Sequence, residues 1–315
     1  MKMNKTTTRL SDAPQVKPFQ INQAMVALEL GSTDDSILNY LNFLTKQVPT
    51  GALYFLHVLP EINLYNTLYE EEARTIFGDN YELDSDVIER MELTIKGKLA
   101  AEKELFIEFD VKEGNPLEHL LNDAQKVQAD LVVIGQKTSP GSHGILAKKL
   151  ARQVSCNALV IPDQARQSIS SILVPIDFSP NSAEALKTAV AINKQLEEPA
   201  EIVVVNVYEV PDLSVYKIAK TREQLHAMLE DDRTGALQAF IHRYVPEAED
   251  SIRKELIPKD MPGVANYLMD FALENDTDFI VMGAKGHSKV ELLLLGSVTE
   301  KMMTLNKSIS TLIVK

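Results

Sequence analysis

Cysteine is almost missing from this sequence, since Cys156 stands alone among 315 residues. An intrachain disulfide is excluded, and such usage fits a reducing compartment, so a cytoplasmic location is expected. Cys156 lies just before the apolar run Ala158 to Ile161, where an inert, buried thiol is the plain expectation. No apolar run approaches the roughly 18 residues that a membrane helix requires, which predicts a soluble protein. There is no block of lysine and arginine with interleaved aromatics, and the formal net charge is −13. That field repels a polyphosphate backbone and an anionic bilayer alike, so neither nucleic acid nor membrane is expected as a partner. A small anion held by a few backbone amides is not excluded. Residues 1–18 carry Lys2, Lys5 and Arg9 without an apolar stretch or a cleavage pattern, and read as a flexible tail. Catalytic signatures are missing too: no G-x4-G-K-S/T loop, no G-x-S-x-G elbow, and six histidines (57, 119, 143, 226, 242, 287) with no ligand spacing. A dedicated enzyme is not expected, although clamped phosphates and a metal would allow slow ATP cleavage.

What the sequence does have is one unit written twice. Met25-Val-Ala-Leu-Glu29 corresponds to Leu173-Val-Pro-Ile-Asp177, and Ala129 to Gly135 corresponds to Thr277 to Gly283, both at an offset of 148. Two distant anchors sharing one offset mark a duplication, and the length suits two domains. The apolar runs, such as Ala52 to Val58 and Ile202 to Val207, are continuous rather than alternating, as in strands buried on both faces of a parallel sheet. Helical patterns fit Val87 to Glu104, Pro116 to Gln128, Thr221 to Arg243 and Gly263 to Glu274; third strands fit Leu105 to Val111 and Ile252 to Ile257. Strand-then-helix order predicts two tandem doubly wound, Rossmann-like α/β domains with parallel sheets, over residues 19–163 and 170–315. The polar junction Asp163 to Ser170 is short, so the copies are expected to pack together.

Ligands of open parallel sheets bind beyond the carboxyl ends of the strands. In the second copy those places hold Pro175-Ile176-Asp177, then Asn206-Val207, and then a segment from Gly283 of the form G-x2-G-x9-G-S. Gly283 and Gly286 are expected to permit positive φ and to leave no Cβ between their amides and a phosphate. Gly296-Ser297 is expected to open a helix whose first N–H groups point outward at its positive dipole end. Lys285 and His287 could touch phosphate, but exposed loop cations are more often solvated. The acidic runs Glu70 to Glu72 and Glu230 to Asp232 read as solvated faces.

These residues resemble the universal stress proteins. Val174-Pro-Ile-Asp-Phe-Ser179 with Ser182-Ala-Glu-Ala-Leu186 is similar to that family's opening strand and helix. Val281-Met-Gly-Ala-Lys-Gly286 with Leu295-Gly-Ser-Val-Thr-Glu300 is similar to its ATP-binding subgroup. The resemblance implies an adenine nucleotide α-hydrolase-like fold and bound ATP, with Mg2+ or Mn2+ held through the phosphates. It places Asp177, flanked by Pro175 and Ile176, by the adenosine, and Val207 on the base. Gly283, Gly286 and Gly296 surround the phosphates, with Ser297 and Val298 completing the cradle; Met282, before Gly283, is a further cofactor-binding residue. It also implies pairing through the final strands, Asn157 to Ile161 and Ser310 to Val314, which makes the copies a pseudo-dimer; a homodimer of whole chains stays open. Gly283→Val or Gly286→Val is then expected to abolish binding without unfolding the chain.

The first copy departs from the pattern. Its segment after Gly135 is five residues shorter, Thr138 stands where Gly286 would, and Glu29 replaces the aspartate with a longer side chain expected to intrude on the base position. This copy is expected to be nucleotide-free and to serve as a partner surface. The resulting expectation is a regulatory ATP-binding protein whose nucleotide orders the Gly283 to Ser297 loop for a protein partner. A nucleotide-independent stress scaffold and a weak ATP hydrolase are the alternatives.

Overall fold

The computed structural model describes residues 16–59, 83–99, 105–138, 144–210, 222–286 and 295–315. Most of the expected tail, the run Glu70 to Glu72, His143, His287 and Leu292 to Leu294 lie outside the described residues.

The first copy runs β1 (Ile21–Leu28), α1 (Ser32–Gln47), β2 (Thr50–Leu59), α2 (Leu83–Lys96), β3 (Phe106–Glu113), α3 (Pro116–Lys126), β4 (Leu131–Gln136), α4 (Ile145–Gln153) and β5 (Asn157–Pro162). The second runs β6 (Ser171–Pro175), α5 (Pro180–Asn193), β7 (Glu201–Glu209), α6 (Arg222–Tyr244), a 3-10 turn (Pro246–Ser251), β8 (Ile252–Lys259), α7 (Val264–Glu274), β9 (Phe279–Gly283), α8 (Ser297–Leu305) and β10 (Ser310–Val314). Helix α2 stops short of the expected Glu104, because its last turn closes at Gly97 and Leu99 on the carbonyls of Leu93 and Ile95, and glycine is a poor helix residue. Side chains set the starts of two helices: Asn115 accepts from the N–H groups of Leu117 and Glu118, and Ser179 from that of Ser182, each followed by proline at the first helical position.

The ten strands of the described residues form one sheet, in the order β3-β2-β1-β4-β5-β10-β9-β6-β7-β8. Each five-strand half is parallel, and the halves meet through antiparallel pairing of β5 with β10, Leu159 lying opposite Leu312. The continuous apolar runs follow from burial on both faces: Val26 and Leu28 join one cluster, Met25 and Ala27 the other. The first cluster crosses the seam, with Tyr40 of α1 stacked on Phe279 of β9 at 6.5 Å between centroids. The chain is thus a doubly wound α/β pseudo-dimer.

The duplication extends to backbone detail. Among the described residues, the four non-glycine residues with positive φ form two pairs 148 apart: Leu30 with Phe178, and Gln128 with Asp276. Asp130 and Asp278 are likewise equivalent; each carboxylate accepts main-chain N–H groups at the start of its copy's first strand, from Asn22 and Gln23 or from Ser170 and Ser171.

Candidate functional site

Beyond β6 the chain turns sharply because Phe178 takes a left-handed conformation, φ 63°. Its ring packs edge-on against Phe240 at 5.6 Å, with the Arg233 guanidinium 5.9 Å from its centroid, contacts that offset the backbone strain. The turn brings Asp177 to the carboxyl edge of the sheet, where its Oδ1 accepts from Ser179 N–H at 3.0 Å. Behind it, buried Asn206 donates to Ile176 O at 2.7 Å and ties the end of β7 to the end of β6. His57 does the same work in the first copy, its Nδ1 lying 2.8 Å from Leu28 O.

The ten residues singled out in the second copy gather around one cavity of about 300 Å3: Pro175, Ile176 and Asp177 after β6, Val207 on β7, Met282, Gly283 and Gly286 at the end of β9, and Gly296, Ser297 and Val298 at the start of α8. Lys285, Ser182, Val205 and Thr299 border it too, and α7 closes it with Val264 and Leu268. The α7 pair was missed in the sequence; its i, i+4 spacing at the start of an apolar helix face was the available signal.

The glycines act differently from expectation. Neither Gly283 nor Gly286 takes positive φ; among the described residues the glycines that do are Gly114, Gly144 and Gly263. A Cβ on Gly283 would lie 2.8 Å from the main chain of Asn181, so this glycine lets β9 approach α5. Gly283→Val therefore collides with a helix backbone and does not leave the packing intact, which overturns the expectation that it abolishes binding without disturbing the fold. A Cβ on Gly286 would meet Asp177 Oδ2 at 2.3 Å, and one on Gly296 would lie 3.4 Å from Ala284 O and Lys285 Cα. The loop is stitched by Gly296 N–H to Ala284 O at 2.7 Å and by Thr299 Oγ1 to Gly283 O at 3.0 Å. Gly296 is the N-cap of α8 in an extended conformation, and as a glycine it brings no capping side chain of its own. The positive end of α8 thus faces the cavity beside Asp177 and Lys285.

The first copy keeps a cavity of about 290 Å3 in the matching place. Glu29 lines it, and its carboxylate, about half exposed, forms an ion pair with Lys137. Thr138 N–H and Oγ1 both donate to the Asp163 carboxylate. Gly135 is retained for packing, since a Cβ there would lie 2.9 Å from Ile37 Cδ1 and 3.3 Å from Thr33 Cβ.

The sequence profile of the Universal stress protein family matches residues 21–162 and again 169–315. The chain belongs to the universal stress protein family. A universal stress protein of Methanocaldococcus jannaschii is 31% identical over 144 residues, 46% of this chain and 81% of the relative. The solved universal stress protein from Archaeoglobus fulgidus superposes with a TM-score of 0.57 at 17% identity, covering 95% of this chain and 97% of its own. A functionally unknown Pseudomonas aeruginosa protein does so with a TM-score of 0.57 at 16% identity, over 94% and 92% of the two chains. At such identities the superpositions speak to the fold alone. Both span the two copies, so the tandem arrangement is shared across nearly the whole length of this universal stress protein. Among its described residues no helix is long and apolar enough to cross a membrane.

Proposed function

We propose that the second copy of this universal stress protein binds ATP and that the protein acts as a cytoplasmic, nucleotide-dependent regulator read by a protein partner. The observation carrying this reading is the juxtaposition, around one cavity, of an aliphatic wall and a helix N-terminus whose N-cap is a glycine. Val205, Val207, Val264 and Leu268 supply a surface against which a flat base is desolvated. Asp177, held by Ser179 N–H, stands where ribose hydroxyls or the base edge can donate to it. The N–H groups at the start of α8 and the close-packed Gly283 to Gly286 turn suit the phosphates, with Lys285 as a neighbouring cation. Mg2+ or Mn2+ would enter on the phosphates and neutralise part of their charge.

Titration calorimetry with Mg-ATP, together with mass spectrometry of nucleotide released by denaturing the freshly purified protein, tests the reading. Saturable 1:1 binding is expected, and it should weaken at least tenfold in Val207→Glu, which sets a carboxylate against the base wall. Absence of both heat and retained nucleotide would favour a nucleotide-independent scaffold.

A further inference from the structure

The first copy's cavity is lined by aliphatic side chains, among them Leu56, Leu120, Ile134 and Leu146, with three polar interruptions: Glu29, Thr33 and His57. Glu29 is engaged at the rim by Lys137. His57 is 8% exposed and its Nδ1 contacts a carbonyl oxygen, which can only accept. Nδ1 therefore carries a proton, and in the neutral tautomer that this fixes Nε2 is the acceptor. Thr33 is 2% exposed, and its hydroxyl has no hydrogen-bond partner among the described residues. A buried hydroxyl left unpaired costs free energy, and such groups call for an explanation.

Phosphate is disfavoured at this site. The amide of Thr138, at the position equivalent to Gly286, already donates to Asp163 and is not offered to an anion. The apolar interior nonetheless suits a ring, since an apolar cavity of about 150 Å3 accommodates benzene, and this one is about 290 Å3.

We propose that the first copy binds an uncharged, phosphate-free aromatic molecule of one or two rings bearing a hydroxyl, which donates to His57 Nε2 and accepts from Thr33 Oγ1. Both groups border the same cavity, whose remaining walls are largely aliphatic. The site shares no lining residue with the second copy's cavity and stands independently of the ATP reading.

The test uses the full chain with labelled isoleucine, leucine and valine methyls, saturated with Mg-ATP and titrated with 2-naphthol, then separately with 2-naphthyl phosphate. Methyls of Ile37, Leu120 and Ile134 report the first copy; those of Val205 and Leu268 report the second. Saturable 2-naphthol shifts at the first set are expected, with at least tenfold weaker binding of the phosphate ester. Thr33→Val should bind 2-naphthol at least fivefold more weakly while its unfolding midpoint stays level or rises, because the lost hydroxyl bonds to none of the described residues. Unmoved first-copy methyls, equal binding of the two naphthyl compounds, or undiminished affinity in Thr33→Val would each overturn the proposal.

Discussion

Ser297 isolates the phosphate-binding part of the ATP reading at the level of one atom. It is the first helical residue of α8, where proline fits the required φ and removes only the N–H. Gly296 before it already has φ −64° and ψ 147°, the conformation that a following proline demands. Ser297→Pro should fold normally and lose one charge-assisted bond to phosphate, about 1.5–3 kcal/mol, or roughly ten- to a hundredfold in ATP affinity by calorimetry. Ser297→Ala keeps the amide and should lose far less. Cys156 gives a second prediction at this scale. Burial pushes its thiol up to about 11 from the ordinary value near 9. The thiol stays protonated at pH 8, and iodoacetamide should alkylate the native protein about 100-fold more slowly than the unfolded chain, because only thiolate reacts. The native rate should climb about tenfold per pH unit from 8 to 10.

At the scale of elements, equivalent glycines prove to have unequal neighbours. Gly283 faces the main chain of Asn181 at 2.8 Å, whereas Gly135 faces the terminal methyl of Ile37 at 2.9 Å. A side chain's end can rotate away; a helix backbone cannot. Gly283→Ala should therefore cost about 1–3 kcal/mol in denaturant unfolding, as overpacking does, and Gly135→Ala distinctly less. Here the sequence was only partly legible. Spacing located Gly283, Gly286 and Gly296 at one cavity, because the strand and helix between which they lie are local patterns. Why Gly283 and Gly286 are glycines was hidden, since Asn181 and Asp177 reach them from a hundred residues away. The strands were legible from their unbroken apolar runs, while Val264 and Leu268 look like ordinary helix core until β6 and β7 are set beside them. In the first copy the ion pair of Glu29 was hidden, because Lys137 is also distant in sequence.

At the scale of the whole molecule, the copies are bound into one body. Gln136, at the end of β4, donates to Met303 O at 2.8 Å and Asn306 O at 3.1 Å, so the first copy caps the far end of α8, whose near end borders the second copy's cavity. Arg152 of α4 pairs with Glu300 of α8, and Tyr40 rests on Phe279 across the seam. A shared core of this kind predicts a single unfolding transition, with calorimetric and van't Hoff enthalpies in agreement. Two resolved transitions would show that the seam is weaker than the halves it joins.

The position of β10 in the centre of the sheet also bears on biosynthesis. When the ribosome has completed β5, that strand's outer edge, Ala158 to Val160, has no companion until Thr311 to Ile313 emerges about 150 residues later. A nascent chain in this interval displays a short, apolar, hydrogen-bond-ready margin. Two stalled chains on one messenger could satisfy each other there, since β5 against β5 reproduces the antiparallel join that β10 ordinarily provides.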